Sequence, residues 1–530
     1  DGLGQVLLYP YYTARGGNDT LISVVNTTSA GKAVKVRFLE ALNSREVLDF
    51  NLYLSPFDVW TAAITDMEDG PGIRTNDTSC TAPYFFGDQD GVQNFLDFQF
   101  AAEPFENPDP AGDDFAGTVD GGPTGIERAA SGYIEIIEMG TLVENPAEEP
   151  AADGTDPAIV PWWVEHAGLT ESGERAPRNC NAIVDQWRDV NSEGVPGIWE
   201  TDDPEFGFDP EGPSGGLMGA ASIIDVTEGL MFSYNATAID SFWDPGQTAH
   251  TDPGRLDPSL ISSNNGTSEA FISNFGAEKL NWTPTRPFAI NAALTVSSLM
   301  NEFQINQGDV LGRTEWVLTF PTKSFHTDPL PGGPQLATDE PIAPFTSLWD
   351  AENPGSCDTQ TLAFWDREEG PETVPPEDPE EPEDDVVVSP PRPPQPGEPP
   401  QEDPGFRLCR ESNVIRFAND TSLPTETEIF GEPLRLDGDG DVDELSYINF
   451  GLVPENLVSS GWVRFDFSGF TSVVGQDDES GNDVTISGLP VIGFSANTFT
   501  NNDISDGIRA SFGGSFKHKG TRVQATVVSP

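Results

Sequence analysis

Two neighbouring stretches alternate with a period of two. In 33–40, Val34, Val36 and Phe38 share one face while Lys35 and Arg37 share the other; in 46–54, Leu48, Phe50, Leu52 and Leu54 alternate with Val47, Asp49, Asn51 and Tyr53. A helix would scatter these apolar side chains around its circumference, whereas a strand gathers them on one side. The pattern therefore predicts half-buried antiparallel strands. GQVLLYPYYT and TLISVVNTT precede it, with the turns ARGGND and SAGK between, and SGYIEIIEMGTLV, GLMGAASIIDV, GLMFSYN and EWVLTFPTK follow. Near the C-terminal end Val463, Phe465 and Phe467 oppose Trp462, Arg464 and Asp466. Glycine (53) and proline (47) are abundant enough to supply the many turns that short strands need. The expected fold is mainly β: a multidomain antiparallel β-sandwich, Ig-like or jelly-roll-like, with long acidic loop insertions and a Pro-rich extended arm.

Composition shifts divide the chain. Residues 1–215 read as an N-terminal β-sandwich with acidic insertions, 216–365 as a second β-rich region, 366–405 as the arm and 406–530 as a C-terminal β-region. Within 143–215, Cys180, Ile183, Val184 and Trp187 recur at helical spacing behind Asn179, a good N-cap, which predicts a helix near 180–189. The segment 287–304 is ambiguous between strand and helix. In the arm thirteen of forty residues are proline, so it is expected to be extended and without a core.

The net charge is −62, from 26 basic and 88 acidic residues. That excludes general nucleic-acid binding, since nothing neutralises a phosphate backbone, and disfavours an anionic membrane. Such a chain suits salty or divalent-rich water, where self-repulsion is screened within about 3 Å at 1 M salt. No apolar run reaches the length of a membrane-spanning helix. The chain opens at Asp1, as expected of an exported protein relieved of its signal peptide. The four cysteines, Cys80, Cys180, Cys357 and Cys409, include no C-x-x-C pair, which argues against zinc and for disulfides. Of the three possible pairings, Cys80–Cys180 with Cys357–Cys409 keeps each bridge within one region.

Several constellations invite a chemical reading. LRLDGDGDVDELSY (434–447) carries Asp437, Asp439, Asp441, Asp443 and Glu444. Alternating carboxylates with glycines suit calcium, which takes six to eight oxygens. The spacing is not that of an EF-hand, because Val442 and Ile448 stand where glycine and glutamate belong. GPSGG (212–216) fits a hydrolase elbow only if a strand precedes Ser214 and a helix follows, and a glycine turn is the plainer reading. His250 and His326 each open an HTDP motif; together they could serve one metal, though a turn ahead of proline is commoner. A glycosidase needs two carboxylates, which 88 acids supply by chance. Tryptophans at 162, 163, 187, 199 and 243 would favour sugar stacking if exposed, and core filling otherwise. N-x-S/T triplets occur at Asn18, Asn26, Asn76, Asn235, Asn265, Asn281 and Asn419.

Across GQVLLYPYYT, NDTLISVVNTT, AVKVRFLEALNSREVLDFNLYLSPFDVWTAAI, MNEFQIN, EWVLTFPTK, SGLPVIGF and FGGSFKHKG, the chain resembles a group of exported, uncharacterised cell-surface proteins of Gram-negative bacteria. The resemblance spans most of the chain and implies a secreted, extracellular location; it implies no catalytic residues. Together these readings predict a non-enzymatic structural subunit of a self-assembling surface structure, a filament or S-layer lattice, stabilised by calcium and disulfides. Its expected partner is itself, through Val6, Leu7, Leu8, Tyr9 and Tyr11 of a strand offered to a neighbour's sheet edge, with cell-surface polysaccharide as a second partner. The alternatives are a carbohydrate-binding adhesin and a secreted polysaccharide hydrolase.

Overall fold

The computed structural model describes residues 2–527 apart from 86–90, 102–119, 144–159, 170–172, 174, 193, 195, 202–204, 263–270, 273–275, 278–279, 282–287, 306–309, 330–339, 367–405, 419–425, 434–446, 450–459, 471–472, 478–480 and 506–507. With 50% strand and 10% helix the protein is mainly β, as expected. The first region contains β1 (Val6–Thr13), β2 (Asn18–Asn26), β3 (Gly31–Glu40), β4 (Glu46–Leu54), β5 (Val59–Met67), β6 (Gly70–Arg74), β7 (Cys80–Ala82), β8 (Val92–Asn94), β9 (Ser131–Leu142), a ribbon of β10 (Gly168–Leu169) and β11 (Arg175–Ala176), then β12 (Leu217–Asp225), β13 (Leu230–Asn235) and β14 (Thr237–Ile239). Two six-stranded sheets result, ordered β14-β1-β9-β3-β4-β7 and β13-β12-β2-β5-β6-β8. They share one apolar cluster. Leu7, Tyr9, Val34, Val36, Phe38, Phe50, Leu52, Ile134 and Ile136 enter it from the first sheet, and Ile22, Val24, Trp60, Ile64, Ile73 and Ala221 from the second.

The apolar rows of β3 and β4 thus face inward as predicted. Their polar rows do not face water: every residue of β3 is buried, and in β4 only Asp49 is partly exposed. The segment from Val160 onward lies over them. Short helices at Val160–Val164, Cys180–Asp185 and Ile198–Thr201 bring Trp163, Trp199 and Phe208 against Ala33, Tyr53 and Met139. The helix behind Asn179 is shorter than its periodicity suggests, but its cap is the expected one, with Asn179 Oδ1 accepting from Ala182 N at 3.1 Å. The Cys80–Cys180 disulfide ties this cover to β7.

The second region pairs two five-stranded sheets. One runs Phe406–Leu408, Asp358–Asp366, Ser460–Asp466, Ser298–Gln304, Lys519–Thr521; the other runs Tyr447–Asn449, Ser412–Ala418, Val310–Thr319, Ile492–Ser505, Ile508–Lys517. Leu299, Phe303, Leu362, Val463 and Phe465 meet Trp316, Leu318, Ile415 and Phe417 between them. The ambiguous segment 287–304 divides: Phe288–Leu294 is helix and Ser298–Gln304 is strand. The Cys357–Cys409 disulfide and the pairing of Asp358–Gln360 with Phe406–Leu408 return the chain to the strand it left, so 366–405 is an excursion from one sheet. From 367 on, the arm lies outside the described residues.

The expected boundaries at 215 and 365 need correction. β12 pairs with β2 and β14 with β1, so residues after 216 complete the first pair of sheets. Val310–Thr319 sits between Ser412–Ala418 and Ile492–Ser505, so 288–366 and 406–527 build one region. The two regions interlock. Tyr11 Oη donates to Glu432 Oε1 at 2.6 Å, Asn18 Nδ2 to the Ile429 carbonyl at 2.9 Å and Thr319 Oγ1 to the Pro10 carbonyl at 2.5 Å. Glu315 holds the 428–430 turn in place by accepting three backbone N–H groups, at 2.7, 2.8 and 3.1 Å. Burial raises its pKa to about 7 even against those donors.

Candidate assembly surface

The residues expected to assemble sit deep inside. Val6, Leu7, Leu8, Tyr9 and Tyr11 are all 0% exposed. Val6, Leu7 and Leu8 pair with β14 on one side and β9 on the other, and Tyr11 packs edge-on against Phe430. A strand whose two ladders are already filled offers no free N–H or C=O row to a neighbour, so β1 is corrected from an assembly strand to a core strand. Asp437, Asp439, Asp441, Asp443 and Glu444 lie outside the described residues. Among the described residues no group of three or more His, Cys, Asp or Glu is placed to hold a metal.

The catalytic candidates resolve into structure. Ser214 is surface-exposed on a turn whose Gly215 and Gly216 adopt left-handed conformations. A strand, β12, follows it where an elbow needs a helix. Its Oγ accepts from Lys32 Nζ at 2.6 Å, and Lys32 is paired at 2.6 Å with Glu138. Lys32 thus bridges Glu138 and Ser214. Glu138 also accepts from Gly215 N at 2.8 Å, which pins the turn to β9. A second cluster, absent from the sequence reading, joins Ser55, His166 and Asp58. Ser55 Oγ and Asp58 Oδ2 approach the same ring atom, His166 Nδ1, at 3.2 and 3.5 Å. A triad needs the base and the orienting carboxylate on opposite nitrogens.

The two HTDP histidines have separate surroundings. His250 is buried among Tyr53, Trp187, Trp199 and Phe208, with Tyr53 Oη 2.9 Å from Nε2. His326 Nε2 lies 2.7 Å from Asn291 Nδ2, and burial lowers its pKa to about 4. The tryptophans are mostly core, the commoner of the two readings: Trp163, Trp199 and Trp243 are buried and Trp187 is half-buried. Trp162 is exposed, with the Arg178 guanidinium 4.7 Å over its ring. Of the N-x-S/T sites, Asn18 and Asn26 are buried with their amides bonded inside, while Asn76 and Asn235 are exposed.

The charged row of the covered sheet is internally matched. Arg37 bonds Glu46 at 2.7 Å and Glu135 at 2.5 Å, and Lys35 lies 3.8 Å from Asp49. Burial raises Glu135 to about 7, the opposing pull of Arg37 being too weak to cancel it. Burial likewise pushes both Lys35 and Asp49 toward their neutral forms. Farther along, Arg128, Glu40, Asp120, Arg45 and Asp328 form one buried chain of ion pairs. Lys32, Lys35 and Lys323, half of the six lysines, are buried. Buried cations are thus matched by buried carboxylates, and the chain's large carboxylate excess falls outside these pairs.

The second sheet keeps one face open. Leu21, Ser23 and Val25 of β2, Val59, Thr61, Ala63 and Thr65 of β5, and Met218, Ala220, Ser222 and Ile224 of β12 alternate with buried residues and point outward. Register brings them side by side: Ser23 stands between Ala220 and Thr61, and Leu21 between Ser222 and Ala63. β13 extends the face with Met231 and Ser233. None of these thirteen side chains is charged. Charge enters along one side: exposed Arg74 of β6 is the cross-strand neighbour of Ala63, and Asp77, whose Oδ2 accepts from Thr61 N at 3.0 Å, lies beside it. Between this edge and β12 lies a shallow trough of about 660 Å³. The signal was present in the sequence as outward positions of three strands that carry Ser, Thr, Ala and aliphatics in a chain with 22% charged residues, but it shows only when the strands are aligned.

No family model matches the chain, and no curated protein or solved structure matches it.

Proposed function

We propose that the protein is a non-catalytic structural subunit of an extracellular self-assembling surface structure, a filament or S-layer lattice, and that copies meet through the open face of β13, β12, β2 and β5. The observation that carries this reading is an uncharged, partly apolar sheet face on a chain of net charge −62. A chain of net charge −62 repels its own copies, whereas at this face they oppose serine, alanine and leucine. Four strands at about 4.8 Å and four outward positions at about 6.6 Å give a face on the order of 500 Å². That is below the roughly 800 Å² per partner of a stable pair, so dilute protein is monomeric and order arises where many weak contacts act together. The two disulfides fit an oxidising, non-cytoplasmic environment, in keeping with the exported proteins the sequence resembles. In the same reading the carboxylates of 437–444 take calcium and reduce repulsion between subunits, and each pair of sheets around a shared core is a β-sandwich, antiparallel but for the parallel pairing of Ser412–Ala418 with Tyr447–Asn449.

The test is electron microscopy of concentrated protein in calcium and 1 M salt, beside the double variant A63E/A220E. Ordered sheets or fibres from the wild type and dispersed particles from the variant, with equal melting temperatures, are expected. Assemblies that persist in the variant, or a wild type that stays dispersed at every concentration, would overturn the reading.

A further inference from the structure

The second region carries an aromatic surface that core packing does not account for. Strand alternation turns Trp462, Arg464 and Asp466 outward while Val463 and Phe465 fill the core. Register then sets Glu302, Trp462 and Trp365 in one cross-strand row, and Met300, Arg464 and Ala363 in the next. The rings of Trp365 and Trp462 are stacked, 4.0 Å between centroids and 10° from parallel. Trp462 remains 37% exposed. The Arg464 guanidinium lies 5.5 Å from the Trp365 centroid. Among the described residues no carboxylate pairs with it, and its Nε is buried without a hydrogen-bond partner.

We infer that Trp365, Trp462 and Arg464 form a binding platform for a neutral polysaccharide of hexopyranose units. Stacked cross-strand aromatics also stabilise a sheet, but that role does not call for an exposed indole beside an arginine that, among the described residues, has no carboxylate partner. A pyranose ring offers a C–H face to an indole and hydroxyls at its rim. Glu302 and Asp466 accept from such hydroxyls, and Arg464, a donor only, serves their oxygens. A polyanion is disfavoured by the chain's net charge of −62 and by Glu302 and Asp466 beside the rings, which leaves an uncharged chain lying along the strands. This platform is on a different sheet from the assembly face and does not depend on it.

The test is affinity electrophoresis of the full chain in native gels containing hydroxyethylcellulose, dextran or soluble starch, with polygalacturonate as the charged control. Retardation by at least one neutral polymer is expected. Trp462→Ala should weaken it at least tenfold, Trp462→Phe less than threefold, and Arg464→Gln about three- to tenfold. Trp462→Phe keeps an aromatic pair in the sheet, so a loss confined to Trp462→Ala in protein of unchanged melting temperature is a loss of binding. No retardation by any neutral polymer, retardation by polygalacturonate alone, or equal retardation of the wild type and Trp462→Ala would each overturn the proposal.

Discussion

Of the two sheets that close on the first core, β14-β1-β9-β3-β4-β7 is covered on both faces, and β13-β12-β2-β5-β6-β8 leaves one face open. Their strands alternate alike, yet the outcomes are inverted. The charged rows, Lys35 and Arg37 with Asp49, are covered, while the rows of Ser, Thr and Ala are wet. Charge alone does not decide which row meets water. Lys32, Lys35 and Arg37 each find a carboxylate within 4 Å, and the segment after Val160 supplies the lid. Among the described residues the serine and alanine rows have no such partners to hold a cover down, and exposing them costs little.

The largest effect should come from unmatching the covered row. Arg37→Met leaves Glu46 and Glu135 buried without their cation and is expected to cost about 3–5 kcal/mol, read as a drop in the urea midpoint. A loss under 1 kcal/mol would mean that water reaches this row after all. Next comes the fastening of the lid. Cys80→Ala with Cys180→Ala should cost about 2–5 kcal/mol, and hydrogen exchange in β4 and β7 should rise more than in β5. Equal exchange in both sheets would show that the lid holds without its bridge.

The third test uses pH. His326 stands two residues from Asp328, which bonds Arg45 at the end of the covered sheet at 2.8 Å. Its folded pKa, about 4, lies below the ordinary 6.5. Between those values the unfolded chain binds more proton, so this contribution is complete above pH 6.5 and is lost as pH falls toward 4, by up to about 3 kcal/mol. Glu135 and Glu315, raised to about 7, act in the opposite sense, favouring the folded state as pH falls from 7 toward 4.5. The wild-type profile is therefore a sum, and the informative quantity is the difference from His326→Gln. The variant should gain on the wild type below pH 6.5 in chemical denaturation, and parallel profiles would refute the assignment. The smallest effect belongs to the open sheet: Ala63→Glu alone should shift stability by no more than about 0.5 kcal/mol while it weakens association in light scattering.

What the sequence disclosed was local. Period two identified the strands, Asn179 its helix start, and 462–467 its inward row; the cysteine positions suggested the pairing found. What it withheld depends on distant partners. Lys32 meets Glu138 across 106 positions and Arg45 meets Asp328 across 283, so nothing near 33–40 announces that its charged row will be covered. VLLYPYYT reads the same whether it lies at an edge or in the middle of a sheet, and only the ladders to β9 and β14 decide between them. The open face was legible position by position, but its meaning required register.

The placement of β1 has a consequence in time. Tyr11 waits for Glu432, 421 positions away, and Asn18 for Ile429. At a synthesis rate of about 5–20 residues per second, that partner follows roughly 20–80 s later. Throughout this interval one of the most apolar strands in the chain lacks part of its final surroundings. A cell making this protein must therefore keep that strand from other chains until the C-terminal sheets arrive.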